Sequence, residues 1–493
     1  QGAIKHLPRP PFLYSRIMFE TIQVPYWLLI LILLFAGVTF ASHFLFPSVR
    51  WFFRRRMERA VEELNKRLDR PIQPFKMMRR QDHVIRLIYD PQVMEAVADY
   101  ASSEGVPRSV AFAKAKSYAR EIVPGFSTAA YFGFAIWVAR KLSQLFYTVH
   151  LGGGDPGTLR DIDNKSAVVF VMNHRSNMDY VLVTWLAADR SALSYAVGEW
   201  ARVWPLKALI RAMGAYFIRR RYSSPLYRAV LARYVQMSID EGVTQAMFPE
   251  GGLSLNGAVG PAKKGLLHYI VRDFDTQTER DVVFVPVALN YDRVLEDRLL
   301  IKAAETGERR FGVRMSKALG WVAQLFWSKL RGKFHKFGHA AVCYGAPVSL
   351  QDFLVNHPGA STEVLADTLM TRIRASKPLL PVPLAAAAVV RVGGMAAMPA
   401  LEVAAEALID EARACGANMH LAGGAPGSAL GSGVESLILR GILQREGDAI
   451  SIAAGEEDAL GYYAASVLQR LSEPETLPGF MPAGSELPGV AGT

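Results

Sequence analysis

One short run in this sequence combines residue types and spacing that could activate a hydroxyl group. NHRSNMDY (173–180) sets His174 five positions before Asp179. A carboxylate accepting from one imidazole nitrogen holds the ring tautomer, and the other nitrogen is then free to take a proton from an alcohol. Spacing alone does not single this pair out, because His150/Asp155 and His268/Asp273 repeat it among the 10 histidines. Five residues of helix turn the chain by about 140°, so His268 and Asp273, in an apparent helix, point apart. His150 and Asp155 enclose three glycines with no helix following. His174/Asp179 instead follows the apolar run AVVFVM (167–172) and opens a helical pattern. α/β sheets place their chemistry in strand-end loops of this kind.

Three further runs set polar groups beside strand-like segments. GAYFIRRR (214–221) places Arg219, Arg220 and Arg221 at a strand end, and the guanidinium fork suits phosphate or carboxylate. FPEGGLSLNG (248–257) supplies Glu250, Gly251, Gly252 and Ser254; the glycines let the backbone approach a ligand closely. Lys263 and Lys264 follow. VVFVPVAL (282–289) carries Pro286 inside a strand-like run, where proline is tolerated at an edge or a bulge. Ser176 is a rival nucleophile, but no GxSxG elbow surrounds it. The histidines are scattered and Cys343 and Cys415 lie far apart, so no metal cluster is expected. No Walker or dinucleotide loop points to a cofactor.

These groups need a sheet to position them. Strand-like runs recur at 167–172, 193–198, 215–218, 244–248, 282–289 and 340–345, with helical stretches between most of them. One helix opens at Ser223, Ser224 and Pro225, a cap followed by proline. The alternation predicts an α/β domain, a mixed sheet flanked by helices, over residues 151–377. Residues 50–150 read as a helical N-terminal region; within it 129–146 is apolar but broken by Arg140 and Lys141, which suits an interface or a core. Residues 378–473 read as a helical C-terminal region, entered through a Pro, Ala and Gly-rich connector at 378–400. Residues 474–493, rich in Pro, Gly and Glu, are expected to be disordered.

The chain has 493 residues, 51% of them hydrophobic and 20% charged, with 56 Lys+Arg against 45 Asp+Glu and a net charge of +11. That balance excludes a disordered chain, a collagen-like fibre and a coiled coil. Two cysteines make no disulfide framework and suit a reducing compartment. The positive excess points to phosphate-bearing partners. No Asp, Glu, Lys or Arg lies between Glu20 and Arg50, and residues 26–46 are long and apolar enough to cross a membrane. Residues 1–49 therefore read as an N-terminal flank and membrane anchor. Arg50, Arg54, Arg55, Arg56 and Arg59 put the remainder on the cytoplasmic side, while Lys5, Arg9 and Arg16 leave open a shallow anchor with both ends cytoplasmic. From Arg309 to His339 there are eight Lys/Arg, six Phe/Trp and no acid, a basic amphipathic stretch suited to an anionic phospholipid membrane. No recognition motif accompanies the charge, so nucleic acid is not an expected partner.

The ordered set HRSNMDY, GAYFIRR, FPEGG and VPVAL resembles the glycerolipid acyltransferase family, and within it the bacterial membrane-bound glycerol-3-phosphate 1-O-acyltransferase branch. With the helical N-terminal part and the Tyr462–Tyr463 segment, the resemblance covers roughly residues 60 to 472. It implies that the α/β domain is a glycerolipid acyltransferase core, with His174 of the HX4D motif as general base and Asp179 orienting it. It implies substrate contacts from Arg175, Ser176, Arg219, Arg220, Glu250, Gly251, Gly252, Ser254, Lys263 and Lys264. The implied reaction moves an acyl group from acyl-CoA or acyl-ACP to the sn-1 hydroxyl of glycerol-3-phosphate in phospholipid biosynthesis. The implied place is the cytoplasmic face of the inner membrane. The branch usually has arginines where this chain has Leu253 and Leu255. That departure keeps open another acceptor, lysophosphatidic acid or dihydroxyacetone phosphate. A catalytically silent lipid-binding membrane-surface protein is the remaining alternative.

Overall fold

The computed structural model describes residues 25–40, 46–152, 161–186, 191–198, 206–219, 224–277, 280–307, 331, 336–416, 419 and 426–471. The chain divides into two compact units, residues 1–66 and 67–493. In the first, a 15-residue helix spans Tyr26–Phe40 with no buried residue. Such a helix rises about 22 Å, against ~30 Å of hydrocarbon core. Among the described residues no helix is long and apolar enough to cross a membrane. Residues 41–45 of the expected 26–46 span lie outside the described residues, as do 474–493 and most of the basic stretch after Arg309.

In the second unit the core is a mixed sheet. Its strands are β1 (Thr148–Gly152), β2 (Ala167–Met172), β3 (Ser194–Val197), β4 (Tyr216–Phe217), β5 (Gln245–Met247), β6 (Val282–Tyr291), β7 (His339–Tyr344) and β8 (Val348–Ser349). They run in the order β1-β7-β6-β2-β5-β3-β4, with β8 also paired to β6. β6 meets β7 and β8 antiparallel; the other pairings are parallel. A parallel strand covered on both faces reads as an unbroken apolar run, and every residue of β2 and β6 is buried.

Successive strand residues point to opposite faces. Val168, Phe170, Met172, Val285, Val287 and Leu289 enter one core cluster, beneath the helices Pro381–Arg391, Met398–Ala414, Pro426–Leu439 and Glu457–Leu471. Ala167, Val169, Val171, Val282, Phe284 and Ala288 enter the other, beneath Arg80–Ile88, Pro91–Ser103, Arg108–Ile122 and Pro225–Asp240. The sheet is thus the middle of three layers. Pro286 fits inside β6 because it sits where that strand changes neighbour: Phe284 faces Val348 of β8 and Val287 faces Tyr344 of β7. Its carbonyl accepts from Gly345 N at 2.8 Å, in the turn joining those two strands. Its missing N–H therefore falls where the ladder is already interrupted.

The strand-like runs become β2 to β7, and Ser224 caps Pro225–Asp240 by accepting from Tyr227 N. The sequence reading needs correction in two places. The 378–400 stretch is no loose connector, since Pro381–Arg391 is a helix whose residues from Pro381 to Val389 are all buried. Its alanines are small for close helix packing, a purpose that composition does not separate from a linker's. The C-terminal region is also not purely helical. β9 (Met395–Ala397), β10 (Leu443–Glu446) and β11 (Ala449–Ile452) form an antiparallel sheet in the order β10-β11-β9. Strands this short carry too little alternation to be read by period.

The C-terminal helices pack closely at Gly433, where a Cβ would lie 2.3 Å from Pro381 O and 2.8 Å from the Ala385 Cβ. Gly433→Ala should lower stability by about 1–3 kcal/mol, read as a lower urea midpoint. An unchanged midpoint would show that these helices separate without cost.

Candidate active site

His174 stands in the loop between β2 and the Met178–Leu186 helix. Asn173 prolongs the β2–β6 pairing with its side chain: Nδ2 donates to Leu289 O at 3.0 Å and Oδ1 accepts from Leu289 N at 2.7 Å. His174 Nδ1 then lies 2.9 Å from Asp179 Oδ2, both side chains buried. The same oxygen accepts from Arg175 N at 2.7 Å and Ser176 N at 3.1 Å, and Tyr291 O–H donates to Oδ1 at 2.6 Å. The carboxylate accepts all four contacts, so Nδ1 is the ring nitrogen that donates to Asp179 and Nε2 is turned away from it. The ring stacks on Phe248 with centroids 4.1 Å apart and meets Tyr180 edge-on at 5.4 Å. Nε2 has no hydrogen-bond partner among the described residues.

The residues around this pair brace it. Glu250 accepts from His174 N at 2.8 Å through Oε1 and from Gly260 N at 2.9 Å through Oε2. Burial raises the Glu250 pKa to about 7, with these two N–H groups and Lys377 pulling it back. Ser254 N donates to His174 O at 2.9 Å, and its hydroxyl to Ala258 O at 2.6 Å. Gly251 has φ 68°, and a Cβ there would lie 2.7 Å from Lys263 Cδ. Lys263 N closes this loop onto Pro249 O at 2.7 Å, with Gly252 in the same turn. Leu253 and Leu255 pack against the apolar core.

Several residues expected at substrate are committed elsewhere. The Ser176 hydroxyl donates to Glu296 Oε2 at 2.7 Å and accepts from Met178 N at 3.1 Å, so it serves the loop rather than attack. Arg175 is fully buried, its guanidinium over the Tyr462 ring at 4.7 Å and Nη1 donating to Gly257 O. Lys264 pairs with Glu363. Arg219 follows β4, three strands from β2, about 14 Å at ordinary strand spacing. It grips Glu121 through Nε at 2.9 Å and Nη2 at 2.6 Å. Arg220 lies outside the described residues. Of the other His/Asp pairs, His268 faces Thr362 and Asp273 pairs with Arg272, while His150 meets His339 and Asp155 lies outside the described residues. Among the described residues no cluster of His, Cys, Asp or Glu could hold a metal.

Sequence reasoning missed Glu296, Tyr291 and Lys377. Glu296 also accepts from Asn177 N at 3.2 Å and Asn177 Nδ2 at 3.0 Å, and burial raises its pKa while the Ser176 and Asn177 bonds oppose that. Tyr291 ends the strand that carries VPVAL, and that position was its one available signal. Lys377 Nζ donates to Gly257 O at 3.1 Å, and burial depresses its pKa well below the ordinary lysine value.

The Glu250 carboxyl makes a pH-dependent prediction. A folded-state pKa raised above the unfolded value gives stability that is complete below the unfolded value and lost as pH rises through about 7. Relative to Glu250→Gln, the wild-type urea midpoint should fall as pH rises from about 4.5 to about 7, a change on the order of 3 kcal/mol. Parallel profiles would show that Glu250 titrates at its ordinary value.

The arrangement offers an oriented imidazole as a base for a hydroxyl. Residues 157–290 match the family model Acyltransferase. A glycerol-3-phosphate acyltransferase from Alteromonas mediterranea is 27% identical over 287 residues, covering 57% of this chain and 33% of that protein. One from Ectopseudomonas mendocina is 31% identical over 283 residues, covering 56% and 32%. The chain thus spans about a third of the length of these curated relatives. Among solved structures, the 1-acyl-sn-glycerophosphate (LPA) acyltransferase PlsC from Thermotoga maritima is similar at 19% identity and a TM-score of 0.32, over 49% of this chain and 76% of that one. Residues 157–290 are therefore an acyltransferase-family domain, in a chain similar over about half its length to bacterial glycerol-3-phosphate acyltransferases.

Proposed function

We propose that the chain transfers an acyl group from a thioester, acyl-CoA or acyl-ACP, to the sn-1 hydroxyl of glycerol-3-phosphate. The products are 1-acylglycerol 3-phosphate and a free thiol. The observation that carries this reading is the His174–Asp179 contact at 2.9 Å within the acyltransferase-family segment. Asp179 holds the ring, and His174 Nε2 takes the proton of the acceptor hydroxyl. The oxygen attacks the thioester carbonyl, and collapse of the tetrahedral intermediate expels the thiolate, which recovers the proton from the imidazolium. No acylated enzyme, metal or cofactor enters this scheme.

The relatives' names support glycerol-3-phosphate as acceptor. Leu253 and Leu255, half-buried against the core where the branch has arginines, favour a second reading with lysophosphatidic acid or dihydroxyacetone phosphate as acceptor. The Tyr26–Phe40 helix, apolar on every side and without a buried residue, supports attachment to the inner membrane, and the arginines from Arg50 to Arg59 support an acyltransferase domain on the cytoplasmic face.

His174→Ala should lower acyl transfer to labelled glycerol-3-phosphate by roughly 10²–10⁴-fold. Undiminished turnover would remove His174 from the mechanism. Supplying the three acceptors separately decides between the readings: faster turnover on lysophosphatidic acid or dihydroxyacetone phosphate would displace glycerol-3-phosphate.

A further inference from the structure

We propose that the outward face of the helical stretch 129–146 docks on an anionic phospholipid surface, as a second contact besides the Tyr26–Phe40 helix. The inference rests on the membrane location proposed above, not on the acyl transfer. The stretch begins as a π-helix, Ala129–Ala135, and continues as Ile136–Phe146. Inward, Tyr131, Ala135, Ala139, Ser143 and Phe146 are buried at helical spacing. The helix packs beside Met178–Leu186, the helix that leaves the His174 loop. Outward, Phe134 and Trp137 are 53% and 59% exposed. One turn further on the same face stand Arg140 and Lys141, both exposed and without an ion-pair partner among the described residues.

Exposed aromatic rings followed by cations match the chemistry of a lipid interface, rings at the acyl boundary and cations at phosphate. Charge complementarity favours an anionic surface, because no Asp or Glu occurs between Glu121 and Asp155. The basic, aromatic, acid-free sequence that starts at Arg309 re-enters the described residues beside this helix. Phe337 stacks on Phe146 with centroids 5.3 Å apart and its N–H donates to Phe146 O at 2.7 Å. The last part of that acid-free sequence therefore packs on the inward side of this helix, at its end. A protein partner would need an acidic, apolar counter-surface, for which the chain gives no indication.

The test places an environment-sensitive fluorophore at Trp137→Cys in a Cys415→Ser background of the full chain, leaving the buried Cys343 in place. With vesicles containing phosphatidylglycerol, emission should rise roughly twofold or more and shift to shorter wavelength. Pure phosphatidylcholine should give less, and added salt or Arg140→Glu with Lys141→Glu should weaken the response. The same label at Val403→Cys, on a 69% exposed position of the Met398–Ala414 helix, should not respond. Vesicle flotation with a label at 137 that stays water-like would overturn the proposal, as would failure to float. A label shielded before vesicles are added would also overturn it, in favour of a protein contact. Acyl transfer to soluble acceptor, assayed on the same preparations, separates failure of this face from failure of the proposed activity.

Discussion

The rest of the site depends on one buried carboxylate. Asp179 gathers four donors from three sources: the His174 ring, two backbone N–H groups of its own loop, and the hydroxyl of Tyr291 on the neighbouring strand. Unpaired, a carboxylate at that depth would carry a large desolvation cost. With four donors on it, it ties together strand end, helix start and the orientation of the histidine ring at once. Glu250 does the same for the backbone on the other side of His174, and Glu296 for Ser176 and Asn177. The loop is held by three carboxyl groups together with the ring contacts of His174 to Phe248 and Tyr180.

That polar core exists only because two helical layers keep water from it. The C-terminal layer also reaches into the loops directly. Gln469 exchanges two hydrogen bonds with Val259, at 2.7 and 2.9 Å. Tyr463 donates to Asp297 Oδ2 at 2.7 Å and accepts from Val294 N at 3.1 Å. Asn290, at the end of β6, donates to Pro378 O at 2.9 Å. Asp292 accepts from Val382 N at 2.9 Å and His339 N at 2.7 Å, and burial lifts its pKa to about 7. A region without any of the four blocks thus bonds just beyond two of them, at Val259 after FPEGG and at Asn290 after VPVAL, and so does more than cover the sheet.

The cations divide by environment. Arg175 and Lys377 converge on Gly257 O in the interior, where a ring and a carbonyl receive them. Arg219 is neutralised by Glu121 at the sheet edge. Arg140 and Lys141 remain in solvent beside exposed rings. Equal formal charges in the sequence therefore serve loop bracing, edge pairing and a candidate lipid face.

The sequence by itself determined the elements that have a strong local signature. The apolar runs of β2 and β6 are unbroken because both their faces are covered, and His174 and Asp179 lie in one loop that five residues of chain close on their own. Only the tertiary structure decided what comes from far away along the chain. Glu296 reaches Ser176 across 120 positions and Lys377 reaches Gly257 across the same separation, pairings that no local spacing encodes. The structure likewise turned an alanine-rich stretch into a buried helix and assigned Arg175 to the interior, because burial is a property of the packed layers and not of the residue type.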